Sequence, residues 1–239
     1  MKEELSIKPG DPKAVENLFN EIAPKYDFLN DFLSLGLHRV WRRKLMNLLS
    51  PVAGENWVDL CCGTGDMALT LARKVTPGGT VFGIDSAIQP LAFARKKSSE
   101  NSLLQLSWLQ RDALDTKLPS NYFDGAIMAY GLRNLSDPTL GLQEIHRILK
   151  PEARAGILDF NSFGDYSFAA LFQKIYLRQI VVPIANYVGL RQQYAYLEES
   201  LKNFPNGDKQ VALAKKVGFR EANFLPIAFG QMGILHVKT

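Results

Sequence analysis

The residues best suited to chemistry lie in one run, Val58-Asp59-Leu60-Cys61-Cys62-Gly63-Thr64-Gly65-Asp66, and at two later acids, Asp85 and Asp112. The run reads as a buried strand that ends in a glycine-rich turn and opens a helix. Gly63 and Gly65 let the backbone turn tightly and approach a ligand with no Cβ in the way. Asp85 closes a second apolar stretch, residues 80–84, twenty positions past Gly65. A carboxylate there can accept hydrogen bonds from both hydroxyls of a ribose. Asp112-Ala113 follows a third such stretch, residues 104–109. Together these spacings predict a nucleoside-containing cofactor across the carboxyl ends of a parallel sheet.

Gly63-Thr64-Gly65-Asp66-Met67-Ala68 also satisfies the loose dinucleotide pattern G-x-G-x-x-A, so a nicotinamide-dependent oxidoreductase is a rival reading. Asp66 argues against it. It stands in the first helical turn, where a pyrophosphate would want amide donors and no anion. Asp59 and Asp66 bracket the turn with negative charge, which suits a cationic sulfonium better. The run resembles the first motif of the class I S-adenosylmethionine-dependent methyltransferases. That resemblance implies S-adenosylmethionine as cofactor, held by Asp59, Gly63, Thr64, Gly65, Asp85, Asp112, Ala113 and Tyr130. Asp85 matches the ribose-binding acid and Asp112 the adenine-contacting position.

The elements that must position these residues follow from periodicity. Val15, Leu18, Phe19 and Ile22 form one helical stripe over residues 13–23, stopped at Pro24. A second helix is expected over 38–49, ended by Ser50-Pro51. Both precede the first strand and are expected to cap the cofactor cleft. Strand and helix then alternate: strands at 56–61, 80–84, 104–109, 123–129 and 155–160, helices at 66–75, 87–99 and 138–149. Residues 165–203 read as mostly helical and rich in Phe, Tyr, Ile and Val. A helix over 207–217 with Gly218 as its stop precedes strands near 219–225 and 230–237. The expected fold is α/β, a Rossmann-like class I methyltransferase with a seven-stranded, mostly parallel sheet and an antiparallel terminal strand. It forms one domain: a helical cap (1–50), a cofactor-binding core (51–160), a helical insertion (161–205), and a closing helix and strand pair (206–239).

The 239 residues carry a formal net charge of +4, which is compatible with an anionic membrane surface or nucleic acid and establishes neither. Arg39, Arg42, Arg43 and Lys44 form the densest basic cluster and read equally well as a solvated helix face or a headgroup patch. The two adjacent cysteines suit a tight strand end in a reducing compartment. Three scattered histidines suggest no metal site. The polar first eleven residues lack a secretory signal pattern, and residues 168–190 are too interrupted to span a bilayer. A cytoplasmic location, with peripheral contact on a membrane, is expected.

Further runs sharpen the reading. Tyr26-Asp27-Phe28-Leu29-Asn30 with Ser34, His38 and Trp41, and Tyr130-Gly131-Leu132-Arg133-Asn134-Leu135-Ser136-Asp137, resemble signatures of the ubiquinone/menaquinone biosynthesis C-methyltransferase family. Arg147-Ile148-Leu149-Lys150-Pro151, Tyr196-Leu197, Ser200, Phe204-Pro205 and Gly233-Ile234-Leu235-His236 extend the match from about Phe19 to His236. Leu29 replaces the family's usual methionine. Glu152-Ala153 replaces its usual Gly-Gly pair, so that turn must avoid positive φ or carry a local cost. The look is nearest the cyanobacterial and plastid branch that methylates 2-phytyl-1,4-naphthoquinol; a benzoquinol acceptor is the alternative.

The resemblance implies methyl transfer to a ring carbon of a prenylated quinol. An oxidised quinone ring is electron-poor and does not attack an electrophilic methyl, so the reduced quinol is the expected substrate, supplied by a separate quinone reductase. Arg133 is the candidate for stabilising the quinolate, or else is ion-paired to Asp137 or another acid. Asn134 and Tyr26 are candidate hydrogen-bond partners of a ring oxygen. His38 is a candidate general base, or a packed helix-start residue. Phe168, Leu171, Phe172, Ile175, Tyr176 and Ile180 could wall a tail or simply pack on the sheet. No Asn/Asp-Pro-Pro-aromatic run and no Pro-Cys nucleophile is present, so a nucleic-acid substrate is not expected. A homodimer and a non-catalytic lipid- or cofactor-binding role stay open.

Overall fold

Helices and strands alternate along the chain as the apolar periodicity requires, and seven strands join one sheet. The computed structural model describes residues 10–25, 31, 34, 36–101, 103, 105–161, 196, 199–201 and 204–239. Tyr26 and the expected tail wall from Phe168 to Ile180 lie outside the described residues. In chain order the elements are α1 (Pro12–Ile22), α2 (Leu37–Leu49), β1 (Asn56–Leu60), α3 (Asp66–Val75), β2 (Thr80–Asp85), α4 (Ile88–Glu100) and β3 (Leu106–Gln110). They continue with β4 (Phe123–Ala129), α5 (Pro138–Ile148), β5 (Leu149–Phe160), α6 (Gly207–Val217), β6 (Glu221–Ile227) and β7 (Met232–Lys238).

The strand order is β3-β2-β1-β4-β5-β7-β6. The first five strands are parallel, and β7 runs antiparallel to both β5 and β6. Chain progression reverses between β1 and β4, whose ends pair as Leu60 with Met128. Ligands of open α/β sheets bind in the crevice at such a reversal, so the topology itself places a site at the carboxyl ends of β1 and β4.

Strands buried on both faces must be apolar throughout. One face packs Val58, Leu60, Ile84, Met128 and Ile157 beneath α5 and α6. The other packs Trp57, Val81, Ile127 and Leu158 beneath α2 and α3. Trp57 lies over Gly125, where a Cβ would come within 2.4 Å of the indole. Its Nε1 donates to Glu55 Oε2 (2.9 Å), and the Arg154 guanidinium stacks 4.9 Å from its ring centroid. Arg154 also donates to Leu49 O and to Glu55. These bonds tie the last residue of α2 to the amino edge of the sheet, so its first turns lie at the carboxyl edge.

Two details depart from the sequence expectation. Asp137 does not pair with Arg133; its carboxylate caps α5, accepting from Thr139 N at 2.7 Å. Strand β5 begins at Leu149 rather than 155, and its register to β4 shifts between Phe123 and Gly125. Glu152 in that irregular stretch adopts φ +63°. The turn therefore keeps the left-handed conformation that glycine would take freely, at about 1–2 kcal/mol for an L-residue. The Glu152 carboxylate accepts from Arg220 Nη1 at 2.6 Å, an exposed pair that offsets little of that.

Candidate active site

The turn after β1 is built from left-handed residues: Cys61 at φ +54°, Gly63 at +54° and Gly65 at +84°. Across the crevice, Tyr130 follows β4 at φ +64°. Strained residues gathered at facing strand ends are a mark of a functional site. Cys62 N donates to Ile84 O (2.9 Å), lashing the turn to β2. Gly63 N donates to Asp85 Oδ2 (2.8 Å), and Ala87 N donates to Oδ1 (2.9 Å). Two backbone amides thus fix the Asp85 carboxylate, while burial pushes its pKa up. Asp112 Oδ1 accepts from Leu114 N at 2.8 Å, shaping the loop after β3.

These groups surround a cavity of about 560 Å³, within the size range of small-molecule sites. Gly63, Asp85, Asp112, Ala113, Tyr130 and Asn134 line its floor and walls, and Val15, Glu16 and Phe19 of α1 cover it. Of the two helices expected to cap the cleft, α1 covers it, whereas α2 contributes nothing to the lining of this cavity. Gly65 does not face this cavity. A Cβ there would meet Trp108 at 2.4 Å and Ala94 at 2.9 Å, so its smallness seats α3 on the neighbouring elements. Gly83 admits the same indole, at 2.4 Å, and Trp108 Nε1 donates to Ser98 Oγ at 2.9 Å.

A smaller recess adjoins the turn, lined by Asp59, Gly63, Thr64, Asp66 and Arg42. Asp59 is 1% exposed, and burial pushes its pKa up to about 8 against the pull of the Ala68 amide and Arg42. Asp59 Oδ2 and Arg42 Nε are both buried with no hydrogen-bond partner. An orphaned acceptor and an orphaned donor beside one recess fit a ligand end that carries both an ammonium and a carboxylate. Together with the Asp85 cradle, the residues present fit an amino-acid-bearing nucleoside.

Asp66 carries the negative charge expected of the turn, but two cations compensate it. Burial opposes its ionisation, but Lys97 Nζ at 2.8 Å and Arg42 Nη1 at 2.9 Å hold its pKa below the ordinary value. Its charge is spent on structure. The Cys61 and Cys62 thiols are pushed up, first by burial and next by Asp85, and stay protonated.

Arg133 is ion-paired, as one alternative held, but to Asp159. Its Nη1 lies 2.7 Å from Asp159 Oδ1 and donates to Tyr130 O (2.9 Å), and its backbone N–H donates to Oδ2 (3.1 Å). Arg133 is not among the residues lining the large cavity; it braces the Tyr130 turn from behind. Asn134 does line it. Asn134 Nδ2 donates to Tyr130 O (3.0 Å), and Oδ1 accepts from Tyr196 Oη (2.9 Å). Burial pushes the Tyr196 hydroxyl up to about 12, and its ring packs on Val15 and Leu18. Tyr196 thereby links the covering helix to the cavity wall.

His38 is not brought to this site. Its Nδ1 bonds Ser34 Oγ at 2.7 Å, and its ring faces a separate groove with Arg39, Arg42 and Asp31. Burial, then Arg42, lowers its pKa. In this structure His38 is buried in the first turn of α2. Sequence reasoning missed Arg42, Asp159 and the bond made by Tyr196. The signal for Asp159 was there: like Asp59, it is a lone acid at the carboxyl end of an otherwise apolar strand.

Comparison with known proteins follows the same lines. The model of the ubiE/COQ5 methyltransferase family matches residues 7–238. A 2-phytyl-1,4-naphthoquinone methyltransferase of Nostoc punctiforme is 46% identical over 225 residues, 94% of this chain and 97% of that one. The chloroplastic 2-phytyl-1,4-beta-naphthoquinone methyltransferase of Arabidopsis thaliana is 38% identical, covering 91% of this chain and 84% of that one. Among solved structures, a SAM-dependent methyltransferase of Thermotoga maritima superposes with a TM-score of 0.64 at 18% identity, covering 94% of this chain and 99% of that one. The last likeness concerns the fold alone.

Proposed function

This chain belongs to the ubiE/COQ5 methyltransferase family, and from that premise we propose that it methylates a ring carbon of a phytyl-tailed naphthoquinol with S-adenosylmethionine as the methyl donor. When bound, the donor supplies an electrophilic methyl on a sulfonium sulfur, whose transfer displaces one proton from the ring carbon. Asp85 would hold its ribose, residues 112–114 its base, and Asp59 with Arg42 its amino-acid end. The observation that carries the reading is the Asp85 carboxylate, fixed by Gly63 N and Ala87 N on the wall of the covered cavity.

The residues of the chain do three things for the acceptor. Helix α1 excludes water from above, which strengthens every electrostatic contact inside. Asn134 offers its amide to a ring oxygen while Tyr196 fixes its orientation. Arg133 acts through others as a positioning residue, its charge shared with Asp159 while it holds the Tyr130 turn against the cavity. Orienting the acceptor carbon toward the methyl contributes up to about 7–11 kcal/mol in favourable cases. The acceptor must be reduced, because only the electron-rich quinol, above all its mono-anion, attacks the methyl. A separate quinone reductase therefore acts before this step.

The test is transfer of labelled methyl from S-adenosylmethionine in detergent, comparing 2-phytyl-1,4-naphthoquinone and demethylmenaquinone, each reduced with dithionite and each oxidised. Label is expected only from the reduced forms, with the phytyl compound preferred. Measurable cofactor binding with no label from any quinol would overturn the reading and favour a non-catalytic role.

A further inference from the structure

The helix that covers the cavity brings a carboxylate with it. Pro12, Glu16 and Phe19 occupy i, i+4 and i+7 positions of α1 and so share one helical face, and all three line the cavity. The helix is fixed near both ends. Asp11 Oδ1 caps it, accepting from Lys13 N (3.0 Å) and Ala14 N (3.2 Å). Toward its other end Asn20 Oδ1 accepts from Gln89 N (2.9 Å), in the first turn of α4 and shortly past Asp85. Glu16 is half-buried, and among the described residues its side chain has neither a hydrogen bond nor an ion pair.

Each of the other acids around the cavity has backbone partners. Asp85 accepts from Gly63 N and Ala87 N, and Asp112 accepts from Leu114 N. Of the two cations in the lining, Arg111 donates through Nη1 to Thr116 O (2.7 Å), and Lys13 is exposed. Three carboxylates thus meet two cations around the cavity, and Glu16 supplies the excess negative charge. Its field acts inward: burial is the main cause of the raised Asp85 pKa, and the Glu16 carboxylate adds to it. An apolar residue at this position would cover the cleft without that repulsion, so packing does not account for the acid.

An unpartnered anion on the inner face of a cap favours a cation beneath it. It acts through space, because a covered cavity screens charge weakly. We propose that Glu16 makes this site select by charge, holding the cationic methyl donor more tightly than the neutral product left after transfer. The proposal rests on the donor named above. S-adenosylmethionine carries a sulfonium, an ammonium and a carboxylate, one positive charge in all. In the transfer the S–C bonding pair stays on sulfur, which becomes a neutral thioether, while the methyl bonds to the ring carbon and that carbon loses a proton. S-adenosylhomocysteine therefore differs by one methyl and one charge. Asp85 and the loop after β3 meet the same nucleoside in both and cannot tell them apart. Glu16 can, which eases product release and limits product inhibition.

The test is calorimetric binding of two probes to the full chain at neutral pH. Sinefungin carries an ammonium where the sulfonium stands and keeps the positive charge; S-adenosylhomocysteine lacks it. Glu16→Gln is expected to weaken sinefungin by about fivefold, the order that one unit charge exerts across a small-molecule site at intermediate dielectric, and to leave S-adenosylhomocysteine within about twofold. Glu16→Asp keeps the charge and is expected to restore most of the parent's preference. Glu21→Gln, at an exposed position of the same helix, is expected to leave both affinities as they are in the parent. In turnover, the inhibition constant of added S-adenosylhomocysteine relative to the KM of the donor is expected to fall in Glu16→Gln by the same factor. Equal weakening of both probes would assign Glu16 to holding the cap alone and overturn the proposal. So would a Glu16→Gln variant that binds both as the parent does, or a Glu16→Asp variant no better than Glu16→Gln. A parent chain that binds neither probe would instead overturn the functional reading, and this proposal with it.

Discussion

Asp59 is buried and Asp85 half-buried beside one turn, yet only Asp85 has two amides to hold its charge. Asp59 keeps an orphaned oxygen, and its pKa rises to about 8. The consequence for stability has a definite sign. Below the ordinary carboxylate range both folded and unfolded chains hold the proton. From there up to about pH 8 only the folded state holds it, so stability falls by about 1.4 kcal/mol per pH unit in the ligand-free chain. Asp59→Asn removes this titration and is expected to flatten the dependence between pH 5 and 8, gaining most at the alkaline end. Urea unfolding at several pH values measures it; a variant that keeps the parent's slope would exclude Asp59 as the source.

At the scale of elements, the interlock of Trp57 with Gly125 joins β1 to β4 where the sheet reverses direction. Gly125→Ala would press a methyl to 2.4 Å from an indole that Glu55 and Arg154 hold in place. It is expected to cost about 1–3 kcal/mol by overpacking, read as a lower urea midpoint with an unchanged slope. The alternation of strand and helix was legible in the sequence because the central strands are apolar on both faces and Pro, Gly and cap residues such as Asp137 punctuate them. Glu152 was half legible: the missing glycine pair was visible, but whether the turn would change conformation or keep it depended on β5 pairing from Leu149. The Asp85 cradle could be read because a glycine turn and an acid at fixed spacing belong to one local unit. The Arg133–Asp159 and Arg42–Asp66 pairs could not. They join residues 26 and 24 positions apart, and only the packed sheet and the direction of α2 decide which acid each cation meets. His38 stayed between two readings for the same reason, since periodicity sets a helix face but not what that face meets.

The whole molecule couples its cavity to its stability. A ligand that binds only the folded chain at a hundredfold excess over its Kd raises stability by about 2.7 kcal/mol. S-adenosylhomocysteine is expected to do this and to raise Tm, whereas NADH at the same concentration is expected to leave Tm unchanged. A shift with NADH alone would restore the oxidoreductase reading. The two edges of the sheet divide the work: Arg154 and Trp57 lock the amino edge, while the left-handed residues Cys61, Gly63, Tyr130 and Phe229 gather at the carboxyl edge. Trp108 lies between these regions, filling the hollows left by Gly65 and Gly83, and that fit constrains descent. A lineage that lost the indole first would inherit a hole beneath its cofactor turn. One that gained a methyl at position 83 first would inherit a clash. Either order passes through a weakened ancestor, so a smaller side chain at 108 paired with a methyl at 83 is expected to cost less than the sum of the two changes.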